Sequence, residues 1–339
     1  MSKILKWLIV GFMVCIGGYM LAQWKMKSEV ISFLERKVPN HIDFAYDNIT
    51  INLFKGNIAF DEVVVVSLGK QTSSCEIKVN ADRLSITGFS YWKLLFKKSI
   101  FLKTLTLTKP HLNFKTCPND SDNEEANKSN PIKLLKEIFV EELIFDSGIV
   151  EIWDANEEVE LISIESIDLS LKQVTTNPEI ITKYVPFTFT EYKLDFQKFN
   201  APLGEFEALK MESMVIDNSN IDINNISLAT IYSKSELSKK ITYQRDHINL
   251  FIPSINVEDH NYVVSNDSLQ VNFKELFLTK PMLEMYRDKS RLEDFRNKPL
   301  YAELLRKLPF KVAIDSVFIE KGSIIYEEDI PNNVKAGAL

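Results

Sequence analysis

One ten-residue pattern occurs twice in this chain and constrains its fold more than any other feature. Residues 102–114 read LKTLTLTKPHLNF and residues 273–285 read FKELFLTKPMLEM, sharing K-x-L-x-L-T-K-P-x-L, with Pro110 and Pro281 171 positions apart. A second block follows each. Residues 140–153 read VEELIFDSGIVEIW and residues 314–326 read IDSVFIEKGSIIY, aligned at Gly148 and Gly322, 174 apart. Two blocks in the same order at nearly equal offset indicate internal duplication. Inside them Leu105 and Leu107 alternate with threonines. Elsewhere Ile167, Leu169 and Leu171 alternate with Asp168, Ser170 and Lys172, and Ile221 and Ile223 flank Asp222. Period two with one polar face predicts antiparallel strands that are wet on one side. Composition agrees: the chain holds 35 Ile but only 10 Gly and 13 Ala, and β-branched side chains fit pleated, half-buried strands.

Several classes are excluded by the same numbers. A doubly wound nucleotide-binding fold needs clustered glycines at its phosphate turns, and there is no such cluster. A net charge of −7 argues against general nucleic-acid binding. The four histidines (His41, His111, His247, His260) show no metal-ligand spacing. The pairs Asp246-His247 and Asp259-His260 read as polar residues at turns flanking a strand. With no nucleophile elbow and no P-loop, the sequence gives no catalytic residue, no metal and no cofactor, and an enzyme is not expected.

Residues Ile4 to Ala22 are nearly all apolar, with one charge, Lys6, and Trp7 and Trp24 bracket the run. About 20 such residues span a bilayer core. A cleavable signal peptide is the competing reading, but Met20-Leu21-Ala22 lacks the first small residue of a cleavage site. A transmembrane signal anchor over 1–27 is expected, followed by an amphipathic helix over 28–39 carrying Val30, Phe33, Leu34 and Val38. Short helices are also expected at Pro131 to Phe139 and Pro299 to Leu308, each opened by proline. Lys115 to Asn130 reads as a polar loop and 173–186 as a loose connector. The organisation expected is a first repeat over 40–172, connector and strands over 173–207, and a second, shortened repeat over 208–339.

From Arg83 to Lys115 there are seven basic residues and no acidic one. Within this stretch Trp92, Lys93, Phe96, Lys97 and Lys98 combine aromatic and lysine side chains, as interfacial segments attracted to anionic headgroups do. They are the candidate membrane-surface residues. Trp92 and Phe96 capping one end of the sheet, with solvated lysines, is the plainer alternative.

The N-terminal anchor, the strand Leu105, Leu107, Pro110, Leu112 with its repeat Leu276, Leu278, Pro281, Leu283, the later x-x-G-x-φ-x-φ turn (φ apolar) and the preceding Ser90-Tyr91-Trp92-Lys93-Leu94-Leu95 together resemble the AsmA-like family of bacterial envelope proteins. The resemblance covers most of residues 1–330. It implies a mainly β fold: an N-terminal transmembrane helix, then a long curled antiparallel sheet with short helices, forming an internally duplicated β-groove. About twenty strands at ~4.8 Å spacing would give a groove on the order of 95 Å. The resemblance further implies an inner-membrane protein with its bulk in the periplasm, whose groove takes phospholipid acyl chains and carries lipid between the two membranes, with other envelope proteins as partners. Groove candidates are Leu105, Leu107, Leu112, Ile167, Leu169, Leu171, Ile221, Ile223, Leu276, Leu278 and Leu283. The alternative is a non-enzymatic assembly factor acting through its sheet edges.

Overall fold

A computed structural model describes residues 42–68, 76–90, 93, 96, 99–116, 136–156, 158–183, 185–265, 268–295 and 310–330, with Gly18, Met20, Leu21, Trp24, Lys25, Lys27 and Ser28 near the N-terminus. The fold is mainly β. Sixteen strands belong to one large mixed sheet, and two compact units are formed by Met1–Gly148 with Ser170–Thr190 and by Ile149–Leu169 with Glu191–Leu339. The first unit holds β1 (Ile42–Ala45), β2 (Asn48–Asn52), β3 (Asn57–Leu68), β4 (Glu76–Thr87), β5 (Ile100–Thr108) and β6 (His111–Lys115). Strands β7 (Ile138–Trp153) and β8 (Glu160–Thr176) run through both. The second unit holds β9 (Glu191–Leu203), β10 (Glu207–Asp217), β11 (Asn220–Thr230), helix α1 (Lys234–Lys240), β12 (Asp246–Ser265), β13 (Ser268–Thr279), β14 (Met282–Asp288), β15 (Phe310–Glu320) and β16 (Ser323–Asp329).

The sequence blocks correspond to one pairing scheme used twice. Strand β4 pairs antiparallel with β5 and β6, setting Leu84 opposite Leu107 and Val79 opposite Leu112. Strand β12 pairs likewise with β13 and β14, setting Ile255 opposite Leu278 and Leu250 opposite Leu283; every one of these residues lies 171 beyond its match. Next, β7 runs parallel to β5 with Leu143 opposite Leu105, and β15 runs parallel to β13 with Val317 opposite Leu276. Lys109 and Lys280, at φ 46° and 49°, each donate the backbone N–H across this parallel pair, to Asp146 O and Glu320 O, both at 2.7 Å.

The parallel pairs correct the all-antiparallel expectation. A parallel return needs a crossover of a dozen or more residues, and 22 residues separate β6 from β7. The two motif residues meet at this return. A Cβ on Gly322 would lie 3.1 Å from Ile319 Cγ2 and 3.3 Å from Pro281 Cγ, while Ser323 N–H donates to Pro281 O at 2.9 Å. The glycine of the second block lets the strand pass close over the proline of the first.

Long strands survive with few glycines because kinks are carried by other residues. Glu62, Lys198, Asn225 and Asp259 sit at φ between 51° and 55°, and each ladder skips the kinked residue. Side-chain alternation shifts by one there, so residues three apart share a face. Phe60 and Val63 enter one core with Ile49, and the Phe196 and Phe199 rings lie 6.1 Å apart.

Helix α1 is fixed locally. The Ser233 hydroxyl accepts from Glu236 N–H and Glu236 reaches back to Ser233 N–H, a reciprocal capping box, while Leu237 is buried beneath it. Other helical expectations fare differently. Ile138 and Phe139 belong to β7, not to a helix, because Ile138 pairs with Ile100 and Phe139 stacks on Phe101 at 5.2 Å. The rest of 131–139, all of 299–308 and the segment 29–39 lie outside the described residues. So does nearly all of 4–22, although the seven described N-terminal residues are helical. Among the described residues no helix is long and apolar enough to cross a membrane. The loop expected from Lys115 starts one residue later, since Lys115 closes β6, and the connector expected at 173 starts after Thr176. Asp246-His247 and Asp259-His260 lie within one twenty-residue strand, β12, and not at turns.

Candidate functional site: apolar sheet faces

Residues directly opposite in a ladder share a face, so the pairings can be followed strand by strand. In the first unit, Ile51, Ile58, Ile86, Leu105 and Leu143 form one row across β2, β3, β4, β5 and β7. Ile49, Phe60, Leu84, Leu107 and Phe145 form the next. Beyond the kink, Phe44, Val65, Val79 and Leu112 continue the apolar surface. The opposite face is polar: Asp61, Arg83, Thr108 and Asp146 form one of its rows.

The second unit carries two longer rows. Leu194, Ile216, Ile221, Val257, Leu276 and Val317 span β9 to β15 without a polar residue. Phe196, Met214, Ile223, Ile255, Leu278 and Ile319 lie beside them. Past the kinks, Ala201, Leu209, Leu228, Leu250, Leu283 and Ile324 make a third. Six strands at ~4.8 Å give a row of about 24 Å.

Eight of the eleven groove candidates, namely Leu105, Leu107, Leu112, Ile221, Ile223, Leu276, Leu278 and Leu283, fall in these rows. Ile167, Leu169 and Leu171 lie on β8. Ser170 Oγ donates to Glu142 at 3.4 Å, and Glu142 neighbours Leu143 on the polar side, so Leu169 and Leu171 stand on the apolar side by alternation. Sequence reading missed the strands that complete the rows, chiefly Phe60, Leu143, Phe196 and Val257. Short i, i+2 apolar pairs such as Ile58/Phe60 and Leu194/Phe196 were the available signal.

The apolar face of the second unit ends in an aromatic and polar corner. His260 is buried, and its Nε2 shares a 2.7 Å hydrogen bond with the Tyr192 hydroxyl. The Tyr262 ring stands 5.9 Å from that of Tyr192. Burial pushes the Tyr192 phenol up to about 12, helped by Tyr262 and Asp217. A polar cavity of about 380 Å³ opens nearby, lined by Asn218, Ser219, Asp259, His260, Lys274 and Asp315 among others. Asp217 has its carboxyl held below the ordinary range by the N–H groups of Ser219 and Asn220. Among the described residues no cluster of three His, Cys, Asp or Glu could hold a metal ion.

Three of the seven basic residues of the stretch have acidic partners. Arg83 pairs with Asp61 at 3.3 Å, Lys109 with Asp82 at 3.0 Å and Lys115 with Glu76 at 3.1 Å. These partners come from β3 and β4, outside the stretch, which is why the linear sequence showed only the positive half. Of the membrane-surface candidates, Lys93 stands with Nζ 3.2 Å from the Phe101 ring centroid, and Phe96 is 65% exposed. Trp92, Lys97 and Lys98 lie outside the described residues.

Comparison with protein-family models finds no match, and comparison with curated proteins finds none.

Proposed function

We propose that the chain is a membrane-anchored envelope protein whose apolar sheet faces hold phospholipid acyl chains and pass them between the inner and outer membranes. The observation that carries this reading is the continuity of the rows. Leu194 to Val317 and Phe196 to Ile319 each cross six strands with an aliphatic, aromatic or methionine side chain at every step. Within the rows Phe196, Ile221 and Val257 are buried, whereas Val317 and Ile319 at the β15 end are 50 and 62% exposed.

The physics of acyl transfer fits such a surface. Moving a 16-carbon chain from membrane to water costs about 12 kcal/mol at ~0.8 kcal/mol per CH₂. A dry strip lowers that barrier along its length, and it needs no catalytic group. The phospholipid headgroup would stay at the wet margin. In this reading the N-terminal segment anchors the chain in the inner membrane, with the bulk in the periplasm.

Photo-cross-linking tests the reading on the full chain in cells. A benzophenone amino acid at Ile223 or Leu278 should capture phospholipid, identified by mass spectrometry of the adduct. The same probe at Asn224 or Thr279, one residue away on the polar face, should capture little. Capture of protein and no lipid at Ile223 and Leu278 would refute lipid carriage and favour the assembly-factor reading.

A further inference from the structure

The outer edge of β15 distinguishes the second copy from the first. Strand β7 lies between β5 and β8 in the sheet, whereas among the described residues no strand pairs with the far side of β15. Val312, Ile314, Val317 and Ile319 are left 41, 42, 50 and 62% exposed. An open apolar edge is a template for another strand.

All four of these residues belong to the apolar face. Val317 and Ile319 end the two long rows. Ile314 lies opposite Phe273, which lies opposite His260; Val312 lies opposite Val271, which lies opposite Tyr262. His260 reaches Tyr192, and Tyr192 is two residues before Leu194 on β9, hence on the same face. The alternation along β15 is therefore interrupted once, between Ile314 and Val317.

We infer that β15 pairs antiparallel with β15 of a second copy of this chain, about a two-fold axis between Asp315 and Ser316. That register sets Val312 opposite Ile319 and Ile314 opposite Val317, so the apolar face continues across the junction. On the polar face it sets Lys311 opposite Glu320, and the two-fold axis makes that pair twice. The interruption in alternation makes the register unique. Sliding one copy by two residues sets Val317 against Ser316 in one direction and Ile314 against Asp315 in the other, and loses the Lys311–Glu320 pairs. In the single chain Glu320 stands 3.4 Å from Lys321, both exposed. The inference goes beyond lipid carriage: it concerns assembly and holds whatever the apolar face binds.

Sedimentation equilibrium of the full chain in mild detergent tests it. The unmodified chain should show a concentration-dependent dimer. Lys311→Glu replaces two opposite-charge contacts by two like-charge contacts and should weaken the dimer about tenfold. Adding Glu320→Lys to Lys311→Glu restores complementary charges and should restore the dimer, which also shows that the Lys311→Glu exchange is compatible with folding. A chain that stays monomeric at every concentration overturns the inference. So does a dimer indifferent to Lys311→Glu, or one that the double variant fails to restore.

Discussion

In the first copy β4 ends at Thr87 and the next residue, Gly88, turns at φ 61°; in the second copy β12 kinks at the matching residue, Asp259, at φ 53°, but continues beyond it. Both face a lysine 171 positions apart, Lys103 and Lys274. A Cβ on Gly88 would lie 2.5 Å from Lys103 Cβ. Asp259 has room for its Cβ, and its carboxylate takes Lys274 Nζ at 2.9 Å. One carbon's worth of room thus separates the two outcomes. After Gly88, Phe89 N–H leaves the strand for Gly56 O at 2.9 Å. After Asp259, six more residues of β12 pair with β13 and bring His260 and Tyr262 to Tyr192. A repeated ladder can therefore acquire a new corner without changing its register.

The largest contrast expected is in the cores. Phe60 and Ile223 occupy matching places, 163 residues apart. Phe60 is 4% exposed and stands edge-on to Phe44 at 5.7 Å and Tyr46 at 5.2 Å. Phe60→Ala should cost about 3–5 kcal/mol, whereas half-buried Ile223→Ala should cost about 1–2 kcal/mol. Urea denaturation of each variant measures both. Equal costs would mean that the two faces are equally covered, and the comparison would break.

The kink residue comes next. Gly88→Asp meets Lys103 at a contact no real Cβ makes and adds left-handed strain, so a loss of about 2–3 kcal/mol is expected. The reverse exchange, Asp259→Gly, keeps a φ that glycine adopts freely and gives up one exposed ion pair. Its thermal midpoint should barely move. A tolerant Gly88→Asp variant would show that Lys103 can yield, and would assign the strand end at Thr87 to some other cause.

Much of this was legible in the sequence, for a definite reason. Period two survives within each half-strand, so Leu105/Leu107, Ile221/Ile223 and Leu276/Leu278 announced their faces. The duplicated prolines and glycines announced the repeat. What was hidden lies at the kinks. Glu62 and Lys198 carry no turn signal, yet each shifts the alternation by one, so that Phe60 and Val63, and Phe196 and Phe199, share a face. Strand direction was hidden too, because a ladder pattern is the same whether the partner runs parallel or antiparallel. Ile132, Leu135 and Ile138 are spaced for a helix, but Ile138 joins β7 by pairing with Ile100, a partner remote in sequence. The ion partners of the basic stretch were concealed in the same way.

The smallest contrast concerns the two lysines at the parallel return. Lys109 and Lys280 both adopt left-handed φ, where a side chain costs about 1–2 kcal/mol that glycine does not. Lys280→Gly should therefore raise stability by about 1 kcal/mol once the greater chain entropy of glycine is subtracted. Lys109→Gly gains the same relief but loses the Asp82 contact, so its gain should be smaller at neutral pH. The difference has a sign in pH. The hydrogen bond to Asp82, and then its charge, hold the Lys109 ammonium above its ordinary 10.5. A raised basic group stabilises the fold fully below its unfolded value, and that contribution fades as pH climbs through the folded one. Denaturation midpoints of the two glycine variants should therefore differ at pH 7 and converge as pH climbs past the ordinary lysine value and through the raised one. A difference that persists undiminished at alkaline pH would mean that backbone geometry, and not the Asp82 contact, separates the two copies at this turn.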